Sequence, residues 1–173
     1  MAAVFEWPWQ YNFPPFFTVQ PNAETRKKQI EAWCNLILEY YRKNKLFNLD
    51  VKESQNDPIF YNKKIDRKLN LDAIQAILEE LQKKGNVEWT DKRKEQCLVM
   101  WRSPEEWGKI MYQWAQSNAM MNTVCTFYEL TQGDDTVNQE FYGIEDWLLI
   151  RALKTLEEQR KAEVIGDEGV KFF

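Results

Sequence analysis

The sequence predicts an α+β, helix-rich protein made of two tandem winged-helix domains preceded by an extended proline/aromatic arm. Three observations lead there. Amphipathic helical segments and short strand-like segments follow one another as helix, strand, helix, helix, strand, strand, the order of a winged helix. The same order then recurs, and a shift of 75 residues carries Leu78, Leu81 and Glu88 onto Leu153, Leu156 and Glu163. Charge changes sign with the repeat: residues 21–101 hold 16 basic and 13 acidic side chains, and residues 102–173 hold 7 and 13. The predicted boundaries are an arm over 1–21, a first domain over 22–101 and a second over 102–173.

Each element has a local reason. Asn22 can cap a helix whose apolar face is Ile30, Trp33, Cys34, Ile37 and Tyr41. Leu46 to Val51 alternates apolar and polar like a short strand. After Pro58 a brief helix is predicted over Ile59 to Lys68. Asn70 then caps a strongly amphipathic helix (Leu71, Ile74, Ile77, Leu78, Leu81), with Leu69 and Ile74 placed as a hydrophobic staple and Gly85 as its stop. Val87–Trp89 and Cys97–Trp101 read as a hairpin around a charged loop. Ser103 and Pro104 open the second copy as N-cap and first helical residue, with Glu106 completing a capping box. There the elements are a helix with Trp107, Ile110, Met111 and Trp114, a strand over Val124–Phe127, a short helix from Tyr128, and a helix over Ile144–Arg160 with Trp147, Ile150, Leu153 and Leu156 inward. A hairpin around Gly166–Gly169 closes it.

Composition narrows the function. The chain has 173 residues, no histidine, and a net charge of −4. Imidazole-based acid/base catalysis, Ser-His and Cys-His nucleophile pairs and His-ligated metals are excluded. No glycine-rich phosphate loop, CxxC spacing or other metal pattern occurs, so no catalytic, cofactor-binding or metal site is expected. Cys34, Cys97 and Cys125 are far apart and read as packed, reduced thiols. No segment has the length of a membrane span, and Met1–Tyr11 lacks the basic and apolar pattern of a signal peptide. An interaction protein is the reading left.

The most unusual stretch is Phe5-Glu6-Trp7-Pro8-Trp9-Gln10-Tyr11-Asn12-Phe13-Pro14-Pro15-Phe16-Phe17, seven aromatics and three prolines in thirteen residues. Proline favours extended backbone, and a polyproline-like segment cannot bury so many rings within itself. Two readings stand, and both can hold together for different rings: the arm folds over its own first helix, and Pro14, Pro15, Phe16 and Phe17 dock on another protein.

Together, this WPW…FPPFF arm, the Gln20-Pro21-Asn22 helix start, the tandem order, the stretch PEEWGKIMYQW from Pro104 and the terminal GVKFF resemble the smallest subunit of the ESCRT-II endosomal sorting complex, the vacuolar protein sorting-associated protein 25 family. The resemblance covers nearly the whole chain. It implies a non-enzymatic adaptor that links the ESCRT-II core to ESCRT-III nucleation while ubiquitinated cargo is sorted into multivesicular bodies. It further implies contact with the two larger ESCRT-II subunits through the arm and first domain, at Pro14, Pro15, Phe16, Phe17, Trp7 and Trp9. Trp7-Pro8-Trp9 has one proline where fungal members carry a second PP-aromatic motif. The second domain is implied to meet an ESCRT-III subunit, a charged multivesicular body protein with a basic N-terminal segment. Phe127, Glu129, Asp134 and Asp135 are the exposed-loop residues offered for that contact. The acidic second half suits such a partner, though ordinary solubility charge reads the same way.

Basic clusters at Lys63–Lys68 and Lys92–Lys94 leave a rival reading, a transcription-associated or DNA-binding winged helix. Against it, both predicted third helices are acidic, with Asp72, Glu79 and Glu80 in one and Glu145, Asp146, Glu157 and Glu158 near the other. Nucleic acid is therefore not an expected partner, and membrane is met only indirectly. Self-association of the isolated chain stays open. The expected location is cytoplasmic with peripheral recruitment to endosomal membranes, and a nuclear pool also stays open.

Overall fold

The structure, a computed structural model, describes residues 4–173. The chain divides into two compact units between Trp101 and Arg102.

The first unit begins with two successive 3-10 turns, Trp9–Asn12 and Pro14–Phe17. Helix α1 (Ala23–Lys43) follows, and Asn22 caps it by accepting from the Thr25 N–H at 3.0 Å. Strand β1 (Asn48–Asp50) leads directly into the single-turn helix α2 (Val51–Ser54), capped by Asp50 through the Glu53 N–H. A small hairpin, β2 (Tyr61–Asn62) and β3 (Arg67–Lys68), precedes helix α3 (Leu71–Lys83). Strands β4 (Val87–Trp89) and β5 (Gln96–Val99) form the wing. The sheet order is β1-β5-β4, all antiparallel, with Leu49 opposite Cys97 and Glu88 opposite Leu98.

The predicted helix over Ile59–Lys68 is absent. Ile59 and Phe60 are fully buried in a turn after Pro58, and the chain then reverses as β2–β3. Two local features enforce the reversal: the Asn62 side chain accepts the Lys64 N–H at 3.1 Å, and Asp66 takes φ of 51°. The helical turn lies upstream instead, where Asp50 and Glu53 form the start of a capping box. Elsewhere Asn70 caps α3 by accepting from Ala73 N–H, and Leu69 and Ile74 are buried as a staple requires. Gly85 ends the helix at φ 84°, in the left-handed region glycine favours.

The second unit runs α4 (Pro104–Ser117), β6 (Val124–Thr126), α5 (Phe127–Gln132), a 3-10 turn at Asp134–Thr136, α6 (Asp146–Glu158), β7 (Ala162–Ile165) and β8 (Gly169–Phe172). Ser103 caps α4 through the Glu106 N–H. The sheet order is β6-β8-β7, with Cys125 and Val164 both opposite Val170. The inward face of α6 is Leu148, Leu149, Ala152, Leu153 and Leu156. Trp147 and Ile150, expected inside, sit half-buried at its flank, and Arg151 lies 5.2 Å from the Trp147 ring centre.

The two units repeat one design. α3 and α6 have the same length at an offset of 75, and their sheets share a strand order. The buried pairs Trp33–Ile37 of α1 and Trp107–Met111 of α4 correspond at an offset of 74. On that register both helices end together, at Lys43 and Ser117, while α1 starts seven residues earlier, about two turns.

Candidate protein-binding surfaces

The arm is not extended. Polyproline geometry would leave its rings in water, and burying a large aromatic side chain stabilises by roughly 1.5–3 kcal/mol. The two 3-10 turns put alternate rings inside and outside. Phe16 and Phe17 are 5% and 3% exposed. Phe16 stacks on Trp33 with centroids 4.3 Å apart, and Phe17 meets the same indole edge-on at 5.4 Å. These two rings, offered by the sequence as partner anchors, are interior residues of the first unit. Tyr11 is buried as well, donates its hydroxyl to Pro58 O, and has its pKa pushed up by burial to about 12. Trp7 is half-buried, stacked on Tyr11 with centroids 3.8 Å apart.

What the arm leaves outside is different. Trp9 is 70% exposed and Phe13 48%, their centroids 5.8 Å apart, and Pro14 and Pro15 are exposed beside them. An apolar cleft of about 400 Å3 lies at this pair, lined by Trp9, Phe13, Pro15, Phe16, Gln29 and Ala32 among others. A second cleft of about 800 Å3 runs between the arm and α1 past Phe5, Trp7, Leu36 and Lys43. Exposed large aromatics beside apolar hollows are the features of a protein contact surface. Phe13 is the residue sequence reasoning passed over. Phe13 has extended backbone between the two 3-10 turns, and no pattern in the residues themselves marks it as the ring that turns outward.

In the second unit Val124, Tyr128 and Val137, between β6 and the end of the 3-10 turn, are 55%, 66% and 54% exposed. Glu129, Asp134 and Asp135 are exposed in the same segment. Thr126 caps α5 by accepting from the Glu129 N–H, and the buried Thr136 hydroxyl donates to Glu129 O at 3.1 Å, which fixes the turn that presents both aspartates. Phe127, expected on an exposed loop, is buried at the start of α5.

The basic clusters fall on hairpins rather than helices, with Arg67 and Lys68 on β3. Lys63 and Lys64 lie in the β2–β3 turn, and Lys92–Lys94 in the wing, where Lys94 pairs with Glu79 at 3.0 Å. Among the described residues no group of His, Cys, Asp and Glu side chains could hold a metal. Burial pushes the Cys34 thiol up to about 11 and Cys97 to about 12, and raises Cys125, so all three stay protonated near neutrality. No helix among the described residues is long and apolar enough to cross a membrane.

Residues 10–145 match the family model described as ESCRT-II complex subunit. The chain belongs to the ESCRT-II subunit family. Among curated relatives, the vacuolar protein-sorting-associated protein 25 of Danio rerio is 60% identical over 98% of this chain and 99% of its own. That of Homo sapiens is 53% identical over the full length of both. Of solved structures, subunit VPS25 of the endosomal trafficking complex ESCRT-II superposes with a TM-score of 0.83 at 28% identity, covering 96% of this chain and 98% of that one. A chain of a structure of the ESCRT-II endosomal trafficking complex gives 0.81 at 30% identity, covering 95% and 98%. The fold is thus the α+β, tandem winged-helix fold of the ESCRT-II family, and the function is that of a subunit in endosomal protein sorting.

Proposed function

We propose that this chain is the non-enzymatic adaptor of its complex, with residues 1–21 as docking arm, 22–101 as the domain facing the ESCRT-II core and 102–173 as the domain facing ESCRT-III. One of the similar solved structures is described as the VPS22/VPS25/VPS36 complex, and two larger subunits of that kind are the partners proposed for the arm. The observation that carries the reading is the outward Trp9–Phe13 pair on an arm otherwise built into the core. Trp9, Phe13, Pro14 and Pro15 make the contact, Trp7 borders it, and Phe16 and Phe17 hold the arm from inside. In the second unit, Val124, Tyr128 and Val137 supply an apolar strip for one face of a basic helix from a charged multivesicular body protein. Glu129, Asp134 and Asp135 supply its charge complement.

The DNA-binding rival is weaker on chemistry. The exposed charges of α3 include Asp72 and Glu79, and those of α6 include Asp146, Glu157 and Glu158, so the helices a winged helix inserts in the major groove would repel phosphate. Work on the cytoplasmic side of endosomes, with membrane contact made by other subunits, follows from the adaptor role.

The test is the pair Trp9→Ala and Phe13→Ala in the full chain. Co-purification with the two larger subunits should be lost, with the melting temperature held within a few degrees. Intact co-purification would remove the arm from the interface.

A further inference from the structure

We propose that Gln29 is the positioning residue of the docking arm: its buried side-chain amide grips the arm's main chain and holds the Trp9–Phe13 pair ready for the partner. This rests on the reading that the arm meets the core subunits. Gln29 is one of the few buried polar residues among those described, 9% exposed, and its amide bonds arm backbone. Its Nε2 donates to Thr18 O at 2.8 Å and Phe16 O at 3.0 Å, with Pro15 O at 3.3 Å sharing the same hydrogens. Its Oε1 accepts the Gln20 N–H at 3.1 Å, which fixes the orientation of the amide. Trp33 Nε1 completes the grip by donating to Phe16 O at 2.9 Å.

A second fixing point lies upstream. Asn62 Nδ2 donates to Tyr11 O at 2.7 Å, and Tyr11 donates to Pro58 O. Phe13 sits between the two grips and Trp9 two residues before the first, so the main chain that carries Phe13 is held on both sides and that of Trp9 on one. Because these bonds go to main-chain atoms, they recognise the path of the arm and not its side chains. The two-turn N-terminal extension of α1, residues 23–29, is what carries Gln29, and α4 has no counterpart to it. That extension is otherwise solvent-exposed from Ala23 to Lys28, so Gln29 is its one buried contact.

The consequence is kinetic and thermodynamic. A partner that needs the docked arm binds with an apparent affinity scaled by the fraction of chains whose arm is docked. Released from Gln29, the arm must be ordered during binding, which costs affinity without any change at the interface itself.

The experiment measures Gln29→Leu in the full chain against the two larger subunits, together with the rate of chymotryptic cleavage at the arm's aromatics. Cleavage should quicken at least tenfold, affinity should fall about tenfold, mostly through a slower association rate, and the melting temperature should move by only a few degrees. If the substitution prevents folding, Gln29→Asn serves instead. It keeps a side-chain amide but draws it back by one methylene from Thr18 O and Phe16 O, and a two- to fivefold change in the same direction is expected. Faster cleavage with unchanged affinity would overturn the positioning role while leaving the arm contact intact. Unchanged cleavage would overturn it too. Retained affinity in the Trp9→Ala, Phe13→Ala protein would instead overturn the arm contact itself, so the two failures are told apart.

Discussion

The helices α1 and α4 occupy the same place in the two units and have been put to opposite uses. In the second unit Gly108 lies against α6 so closely that a Cβ there would meet Ala152 O and Thr155 Oγ1, each at 2.8 Å. In the first unit the matching position is Cys34, whose Sγ stands 3.9 Å from Ile77 O, the carbonyl that corresponds to Ala152 O. The second pair of helices is closed tightly on itself. The first pair leaves room for a side chain, and α1 extends two turns further to carry an arm. The common fold therefore sets the core, and the copies differ in what each adds to it: an aromatic arm in one, an acidic turn near exposed apolar residues in the other.

The sharpest way to break that contrast is to empty the arm's interior face. Phe16→Ala with Phe17→Ala should destabilise the first unit by about 3–5 kcal/mol for each ring. In calorimetry the transition of the first unit should collapse while that of the second stays in place. The contact that the family resemblance implies for Phe16 and Phe17 would give the reverse, detachment from partners with the fold intact, and a stable double variant would restore that view.

Next in size is the closeness of α4 and α6. Gly108→Ala should cost the second unit about 1–3 kcal/mol, because the new methyl meets backbone that cannot yield. Cys34→Ala in the first unit should cost clearly less, since that position already accommodates a larger side chain. Equal costs in the two units, read by chemical denaturation, would erase the packing difference.

Alkali gives a smaller separation. Tyr11, Cys34 and Cys97 have their pKa values raised by burial to about 12, 11 and 12, from 10.0 for the tyrosine and 9.0 for the thiols. A folded-state value above the unfolded one means the folded unit holds its proton longer. Stability is then fully present below about pH 9 and is lost as pH rises towards 12. All three groups lie in the first unit, against Cys125 alone among the raised groups of the second, so the first unit's melting temperature should fall by more when temperature scans are repeated between pH 8 and 11. Cys34 and Cys97 should also resist alkylation at pH 8 until the chain is unfolded.

Smallest is the effect of the acidic turn. Asp134→Lys with Asp135→Lys should slow association of a basic ESCRT-III helix on the order of threefold at low salt, with little change in dissociation, because exposed loop charges steer more than they anchor. Stopped-flow measurement at two salt concentrations checks it. An unchanged on-rate would reduce these charges to solubility.

Much of this design was legible in the residues. Caps at Asn22, Asn70 and Ser103 and the wings announced themselves locally. The repeat was visible in only part, because its offset drifts from 74 in the first helix to 76 at β1 and β6, 75 in the third helix and 73 in the last strand. A fixed shift of 75 finds Leu78 and Leu153 and misses Trp33 and Trp107. The helix expected over Ile59–Lys68 failed because its apolar residues are buried in a turn, a long-range outcome that periodicity cannot see. The arm's division into inner and outer rings was hidden for a related reason. Phe13, Phe16 and Phe17 are chemically alike, and only the position of Trp33 and Gln29 decides which of them turns inward.

The central claim, that the arm is a prefolded docking element, is tested most directly by amide hydrogen exchange on the free, full-length chain. The N–H groups of Tyr11, Phe13, Phe16 and Thr18 donate to the carbonyls of Pro8, Gln10, Phe13 and Pro15 at 3.0, 2.9, 2.9 and 3.2 Å. They are expected to exchange roughly a hundredfold or more slowly than an unstructured peptide. Exchange of these four at the unstructured rate in the free chain, with protection gained only when the larger subunits bind, would mean that the arm folds on its partner and that its burial against Trp33 is no part of the free protein.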